Sequence, residues 1–316
     1  MLKQIVKKTI YLILEKPLPS LSEQETENLS ELQKTFKESL DYENNNILPS
    51  ETIWNNFIIR LRELVMDQNP RKFLRWDIIL ETMFETNARF VSEELNFLKH
   101  CTDWNMRWRK AIEESPVGHP IPYILFPKSS GNLIHHAYHI AQFEKNTGLQ
   151  VHNMDFIFEF GGGYGSMCRL FFNLGFRGKY IIFDLPSFTA LQKYYLKTIG
   201  LPLYSLNSFM KSETGIFCLS DHILLREIIK SRTEFKKSMF IATWSLSESP
   251  LIIRNTILPL IKDFKSFLIA FQPKFGEIDN MEFFNNWMNE NKSIDWVNWQ
   301  IKHIPGNNYY LFGRNN

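Results

Sequence analysis

The sequence has 316 residues, of which 44% are hydrophobic and 22% are charged, and its formal net charge is +2. That length and apolar content suffice for a large folded core and argue against a disordered chain. Basic residues are not gathered on one segment, so we expect no nucleic-acid partner. Its three cysteines, Cys101, Cys168 and Cys218, lack CxxC spacing, which favours a reducing, cytoplasmic location over a disulfide framework or a zinc knuckle.

The N-terminus carries three lysines ahead of a short apolar run over residues 10–14. This run is too short to span a membrane, and Glu15-Lys16-Pro17 follows it in place of a small-residue cleavage site. We therefore expect neither a signal peptide nor a transmembrane segment. A helix that docks onto the rest of the protein is the simpler interpretation, and peripheral contact of a basic amphipathic helix with a membrane surface is the alternative.

Helical spacing dominates the first third of the chain. Apolar side chains recur at helical intervals over residues 51–110, beginning with Trp54, Phe57 and Ile58. A segment rich in Pro and Gly, residues 115–120, ends this pattern. The sequence therefore predicts a helical region over residues 1–120, which covers substrate or mediates homo-oligomer formation, and a second domain over residues 121–316.

A predicted helix with three histidines follows the capping residues Ser129 and Ser130. His135 and His139 share one helix face at a spacing that a metal site could use. The acidic residue of the HExxH pattern is missing and no third ligand is identifiable, so we predict no metal site. These histidines either make hydrogen bonds in the core or line a cleft, where imidazole titrates near neutral pH.

The most informative stretch is a cluster of glycines that follows an apolar run. This run, residues 154–158, reads as a buried strand, and apolar residues at helical spacing after the cluster end at Gly175, where a left-handed C-cap is expected. A second strand over residues 179–183 ends at Asp184. This carboxylate lies about twenty residues beyond the last loop glycine, the interval at which a carboxylate accepts hydrogen bonds from a ribose.

Strands and helices alternate along the rest of the chain. Residues 201–206 are predicted as a third strand, 216–220 as a further short β-like run, and 239–244 and 267–271 as core strands. The alternation of apolar and polar residues around Trp299, followed by 309–312, predicts a closing antiparallel hairpin. Ligands of open α/β sheets bind beyond the carboxyl ends of the strands, so the tail at 245–250 points to the same crevice as Gly161 and Asp184.

The spacing of the glycines separates the candidate ligands. No lysine follows as a Walker loop requires, which excludes nucleoside triphosphates. A dinucleotide fingerprint G-x-G-x-x-G would end at Ser166 or Cys168 and leaves Glu159 unexplained, so a Rossmann dehydrogenase is disfavoured. The pattern that remains, Glu159-x-Gly161-x-Gly163-x-Gly165, resembles the first motif of class I S-adenosylmethionine-dependent methyltransferases.

This resemblance implies the fold and the cofactor. The expected fold is α/β and Rossmann-like, with a seven-stranded sheet whose last strand is antiparallel, preceded by the helical N-terminal region. The expected cofactor is S-adenosyl-L-methionine, with the loop against its methionine portion and Asp184 at its ribose. The residues that the resemblance assigns to cofactor binding are Glu159, Gly161, Gly163, Tyr164, Gly165, Asp184 and Leu185.

A narrower resemblance rests on three segments: the glycine loop, Phe183-Asp184-Leu185-Pro186, and Trp244-Ser245-Leu246-Ser247-Glu248. Together they resemble bacterial sugar O-methyltransferases associated with surface polysaccharide synthesis. The acceptor is then a saccharide, a nucleotide-sugar or a lipid-linked glycan. Plant-type O-methyltransferases share the Asp-Leu-Pro triplet, so a non-sugar small molecule is one alternative, and a non-catalytic scaffold with the same fold is another.

Methyl transfer to a hydroxyl requires alignment of the acceptor and a group that takes up its proton. Glu248 is the first candidate for this catalytic base, because it follows a core strand and matches the Ser-x-x-Glu pattern of the sugar O-methyltransferases. Carboxylates also serve simply as helix-entry residues, which is the alternative role of Glu248. Further candidate catalytic residues are His303, at the end of the alternating strand, and His136 and His139 on the histidine helix.

Overall fold

The structure is a computed structural model that describes residues 17–38, 49–232 and 235–315. The predicted N-terminal helix around residues 10–14 lies outside these residues. Of the helices in the described part, none is both long and apolar enough to cross a membrane.

Helices make up most of the described chain before residue 121. Their apolar residues, such as Leu32, Leu61 and Val91, are buried in a core that they share with one face of the central sheet. The bounds are α1 (Glu23–Glu38), α2 (Pro49–Asp67), α3 (Asp77–Thr82) and α4 (Phe90–Lys99), with short helical turns at Pro70–Arg75, Trp104–Trp108 and Arg109–Ala111.

A short hairpin, β1 (Pro122–Tyr123) and β2 (Phe126–Ser130), leads into the histidine helix α5 (Gly131–Thr147). The Ser130 hydroxyl accepts the N–H of Leu133 at 3.1 Å and so caps α5. Gly148 ends the helix in the left-handed conformation, with φ 70°. The helix packs against α4, which places its histidines between the N-terminal helices and the sheet.

Seven strands form the central sheet, in the order β10-β11-β7-β6-β3-β4-β5. The last strand, β11, is antiparallel to both of its neighbours, and the other neighbouring pairs are parallel. This arrangement confirms the predicted seven-stranded sheet with an antiparallel last strand. The bounds are β3 (Phe156–Phe160), β4 (Lys179–Phe183), β5 (Gly215–Leu219), β6 (Ser238–Thr243), β7 (Ser266–Phe271), β10 (Ile294–Gln300) and β11 (Tyr309–Asn315), with a small hairpin of β8 (Lys274–Phe275) and β9 (Ile278–Asp279).

Helices cover both faces of this sheet, as parallel strands require. Alternate residues of the strands point to opposite faces, so Ile157 joins the core shared with the N-terminal helices, while Phe158 joins a second core on the other face. The bounds of these helices are α6 (Ser166–Asn173), α7 (Pro186–Thr198), α8 (Leu206–Lys211), α9 (His222–Lys230), α10 (Leu251–Ile257) and α11 (Asn280–Glu290).

The prediction of a strand over residues 201–206 is wrong. Only Leu203 pairs with the sheet, through a single bridge to Ile216. Pro202 has no N–H to donate to a strand ladder, and the Ser205 hydroxyl instead caps α8. The third parallel strand is β5, which the sequence presents as a secondary β-like run.

Candidate active site

A cavity of about 1550 Å³ opens at the carboxyl ends of the parallel strands, larger than the roughly 300–1,000 Å³ typical of small-molecule sites. It lies where the sheet order reverses: β3 is followed by β4 and β5 in one direction, and β6 and β7 lie in the other. Ligands of open α/β sheets bind at such a switch point. We name two parts of its wall: the glycine-loop side, with Glu159, Gly161, Gly163, Asp184 and Leu185, and the tryptophan side, with Glu85, Phe90, His136, Trp244, Glu248 and Asn308.

The glycine loop follows β3 directly and lies against the segment after β6. Gly161 has φ 72° and Gly163 has φ 56°, in the left-handed region that glycine adopts without strain. A Cβ on Gly161 would lie 2.2 Å from the Cβ of Ser245, so a larger residue has no room there. Gly165 differs, because it is not in the cavity wall and a Cβ there would meet Leu196 of α7 at 3.2 Å.

Asp184 connects the glycine loop to α7. Its Oδ2 accepts the N–H of Gly163 at 3.0 Å, and its Oδ1 accepts the N–H of Leu185 at 2.8 Å. The Gln192 side chain donates both to Asp184 Oδ2 and to the carbonyl of Gly163. Burial raises the pKa of Asp184 to about 7. Since a carboxylate offers about four acceptor positions, Asp184 keeps capacity for a ligand hydroxyl.

Glu159 and Tyr164 flank the glycines and are both buried. The Tyr180 hydroxyl donates to Glu159 Oε2 at 2.9 Å, and burial raises the pKa of Glu159 to about 8. The Tyr164 hydroxyl accepts the side-chain N–H of Asn132 at 3.0 Å. Both residues therefore support the loop from within and contribute to the cavity wall.

Glu248 lies half-buried on the tryptophan side. Burial raises the pKa of its carboxyl to about 7, and the described part of the chain offers it no hydrogen bond. Its position is fixed through its neighbours, since the buried Arg254 guanidinium donates to the carbonyls of Ser247 at 2.6 Å and Ser249 at 2.9 Å. Glu248 is therefore a positioned carboxyl group whose proton is exchangeable near neutral pH.

Trp244 has a backbone conformation that is unusual for a bulky residue, with φ 63°. Its N–H donates to the carbonyl of Ala270 at 2.7 Å, and its indole Nε1–H donates to Asn308 Oδ1 at 2.7 Å. The ring stacks on His135, with centroids 5.8 Å apart and an interplanar angle of 25°. These contacts hold a strained residue in one orientation, as is common at functional sites.

A buried polar network lies behind Trp244. Glu94 Oε1 contacts His135 Nδ1 at 2.8 Å and His303 Nε2 at 3.0 Å, while Glu94 Oε2 has no hydrogen-bond partner among the residues that the structure describes. His139 Nε2 lies 3.0 Å from His135 Nε2, and His139 Nδ1 contacts the Tyr310 hydroxyl. Burial alone would lower the pKa of His135, but the charge of Glu94 raises it above its usual value. The network thus holds Glu94 and His135 in a direct buried hydrogen bond.

The structure separates the four predicted catalytic residues. Glu248 and His136 line the cavity, whereas His139 and His303 are not in its wall. His139 is fully buried with both ring nitrogens engaged, and His303 is bonded to Glu94. Burial lowers the pKa of His136 to about 3, so its ring is neutral near neutral pH.

Parts of the cavity wall come from residues that the sequence did not single out as site residues. Trp54 and Ile58 of α2 and residues 80–85 line it opposite the sheet. Met83 lies 3.4 Å from the position that a Cβ on Gly163 would take. Gln192, which bonds Asp184, is a glutamine in an ordinary helix. Among the residues that the structure describes, no group of three or more His, Cys, Asp or Glu side chains has an arrangement that could hold a metal ion.

No protein-family model matches the chain, and no curated protein matches its sequence. Similar solved structures include an rRNA methylase from Streptococcus thermophilus, at 10% identity and a TM-score of 0.39, covering 58% of this chain and 94% of that one. Magnesium protoporphyrin IX methyltransferase from Synechocystis PCC 6803, solved with bound S-adenosylmethionine, has 10% identity, a TM-score of 0.38 and coverages of 73% and 100%. Precorrin-6y C5,15-methyltransferase from Geobacter metallireducens GS-15 has 12% identity, a TM-score of 0.36 and coverages of 57% and 86%.

These sequence identities and TM-scores are too low to indicate a function. The strand order and strand directions of this chain identify its fold. The chain has the class I methyltransferase fold.

Proposed function

We propose that the protein is an S-adenosylmethionine-dependent O-methyltransferase that methylates a sugar hydroxyl. The observation that carries this proposal is the presence of two distinct carboxylates in one cavity. Asp184 is tied to the glycine loop, whereas the carboxyl group of Glu248 has no hydrogen bond within the described part of the chain and a pKa raised to about 7. A sugar as the acceptor is supported by the resemblance of the three motif segments.

The glycine-loop side fits S-adenosylmethionine. Gly163 lines the cavity with its backbone, and Asp184 retains an acceptor position for a ribose hydroxyl. The ionised form of Asp184 also suits a ligand that carries positive charge, and Leu185 adds an exposed apolar surface at the rim. When bound, the cofactor supplies an electrophilic methyl group.

Glu248 would accept the proton that the acceptor hydroxyl loses as its oxygen is methylated. A base is most effective when its pKa lies near the working pH, which a pKa of about 7 satisfies. Arg254 keeps this carboxyl directed through the two flanking carbonyls. His136, which is neutral near pH 7 and lines the cavity, is the second candidate for the proton.

We also propose that the N-terminal helical region, residues 1–120, covers the substrate. The contributions of α2 and of residues 80–85 to the cavity wall support this role. A cytoplasmic location is supported by the free state of all three cysteines.

The test uses S-adenosylmethionine titrated into the protein by calorimetry, together with transfer of a deuterated methyl group to a mixture of glycosides and nucleotide sugars, detected by mass spectrometry. We expect the wild type to bind the cofactor and Asp184→Ala to bind it at least tenfold more weakly. Glu248→Gln should retain cofactor binding within about twofold and lose roughly 10²–10⁴-fold in transfer, as expected for a catalytic base. Absence of cofactor binding in the wild type, or full turnover in Glu248→Gln, would contradict the assignment.

A further inference from the structure

We propose that the tryptophan side of the cavity takes its acceptor as an uncharged, unphosphorylated sugar ring packed against Trp244, so that a nucleotide-sugar is not the substrate. This inference rests on the proposed function and adds the chemical class of the acceptor. Three features of the wall carry it: its charge, the fixed orientation of Trp244, and the carboxylates that line the same cavity.

The charged side chains of the wall are mainly acidic. Glu81, Glu85, Glu248 and Asp184 line the cavity, and within the described residues Arg62 is the one Lys or Arg that does so. Glu159 adds no full charge near neutral pH, because burial raises its pKa to about 8. The pyrophosphate of a nucleotide-sugar would bring two further negative charges into this space. Repulsion between like charges is weakly screened in a partly enclosed cavity, so such a ligand is disfavoured.

The two histidines of α5 that line the cavity do not offset this negative charge. His135 is bonded to the buried Glu94, at 2.8 Å between Nδ1 and Oε1, so that any positive charge on its ring is balanced by this carboxylate. Burial and the neighbouring charge of His135 keep the pKa of His136 at about 3, so His136 carries no charge near neutral pH. The part of the wall around Trp244 therefore presents carboxylates and a neutral imidazole to the ligand.

Trp244 offers a rigid aromatic surface. The Asn308 side-chain oxygen accepts the indole N–H, and the Ala270 carbonyl accepts the backbone N–H. The His135 ring stacks on the indole. Because the ring is already fixed, binding against it costs little additional conformational entropy. An aromatic ring of this kind packs well on the apolar C–H face of a sugar.

Two carboxylates in the same cavity wall as Trp244 match sugar hydroxyls. In the described part of the chain the carboxylates of Glu85 and Glu248 make no hydrogen bonds, and both lie in the cavity wall. An ionised carboxylate only accepts hydrogen bonds. Sugar hydroxyls can donate to it, whereas phosphate oxygens, which are also acceptors, cannot.

The test compares each sugar in two matched forms, a neutral methyl glycoside and its nucleoside-diphosphate derivative, using UDP-glucose, GDP-mannose and dTDP-rhamnose with the corresponding methyl glucoside, mannoside and rhamnoside. Binding to protein loaded with S-adenosylhomocysteine is followed by saturation-transfer NMR, and transfer of a deuterated methyl group by mass spectrometry. We expect at least one glycoside to bind, with kcat/KM at least tenfold above that of its nucleotide form. Raising the salt concentration should reduce the difference in kcat/KM between the glycoside and its nucleotide form, because salt screens the repulsion between like charges.

Two variants test the aromatic surface. Trp244→Phe should keep glycoside binding within a few-fold, whereas Trp244→Leu should weaken it about tenfold, while both retain S-adenosylhomocysteine binding. Stronger binding or faster methylation of a nucleotide form, or absence of binding by all three glycosides, would overturn the inference. Equal glycoside affinity in Trp244→Phe and Trp244→Leu would do so as well. Failure of the proposed function is distinguished by loss of S-adenosylmethionine binding in the wild type.

Discussion

The two sides of the cavity are built in different ways. The glycine-loop side is mostly backbone: two glycines in left-handed conformations and an aspartate that accepts backbone N–H groups, all within β3, β4 and their loops. The tryptophan side is mostly side chains, which come from the histidine helix, the segment after β6, the N-terminal helices and the turn before β11. We infer that the first side tolerates few substitutions without loss of the fold, whereas the second can change its specificity one side chain at a time.

The largest effect should come from Gly161→Ala. Gly148 is the matched control, because its φ of 70° is close to the 72° of Gly161 but a Cβ there meets nothing within 4 Å. Gly148→Ala should lower the free energy of unfolding by about 1–2 kcal/mol, because alanine is strained in the left-handed conformation. Gly161→Ala should cost roughly 1–3 kcal/mol more, because its Cβ overlaps Ser245. Urea unfolding measures the stability of the two variants, and cofactor titration measures their affinity for the cofactor. Equal losses of stability in the two variants would show that the close approach to Ser245 is unimportant.

A smaller effect is expected on the tryptophan side from Arg254→Lys. A lysine cannot reproduce the hydrogen bonds of the guanidinium to Ser247, Ser249 and Asn280, so the segment that holds Glu248 should loosen. We expect transfer to fall about tenfold or more and the pH midpoint of transfer to shift, with cofactor affinity nearly unchanged. The exposed Arg226 of α9 provides the control variant Arg226→Lys. An unchanged pH midpoint in Arg254→Lys would assign Arg254 a role in stability only.

The smallest effect concerns the pH dependence of stability on the glycine-loop side. Burial raises the pKa of Glu159 to about 8, whereas the carboxyl of the unfolded chain ionises near ~4.3. Between these values the folded chain holds a proton that the unfolded chain has lost, so Glu159 makes the free energy of unfolding fall as the pH rises. Glu159→Gln should reduce this decline in the free energy of unfolding between pH 5 and 8 by at least about 1.4 kcal/mol, the equivalent of one pKa unit.

Chemical denaturation at several pH values measures that slope. Glu227→Gln, at an exposed position of α9, is the matched control and should leave the slope unchanged. A slope that is the same in Glu159→Gln and the wild type would mean that the Glu159 carboxyl is ionised in the folded protein throughout this range.

The sequence predicts the glycine-loop side better than the tryptophan side, because the two sides are built in different ways. The sequence predicts β3, the glycine loop and Asp184 because the backbone conformation of this segment requires particular residues at short intervals. The prediction of a strand over residues 201–206 is wrong because it rests on their apolar content alone. Pro202 lacks the N–H that a strand ladder needs, and Ser205 caps a helix. The network behind Trp244 could not be predicted, since Glu94 meets His303 across 209 residues of sequence and only the packed helices bring them together.

The contact between α1 and α7 has a consequence for how the protein is made. Asn28 of α1 donates to Thr198 of α7 at 3.1 Å, across 170 residues of sequence. At a synthesis rate of roughly 5–20 residues per second, about 10–30 s pass on the ribosome between these two positions. During that time Leu32 and Phe36 of α1 lack the helix that they will pack against. The apolar residues of α1 therefore complete their core long after they are synthesised.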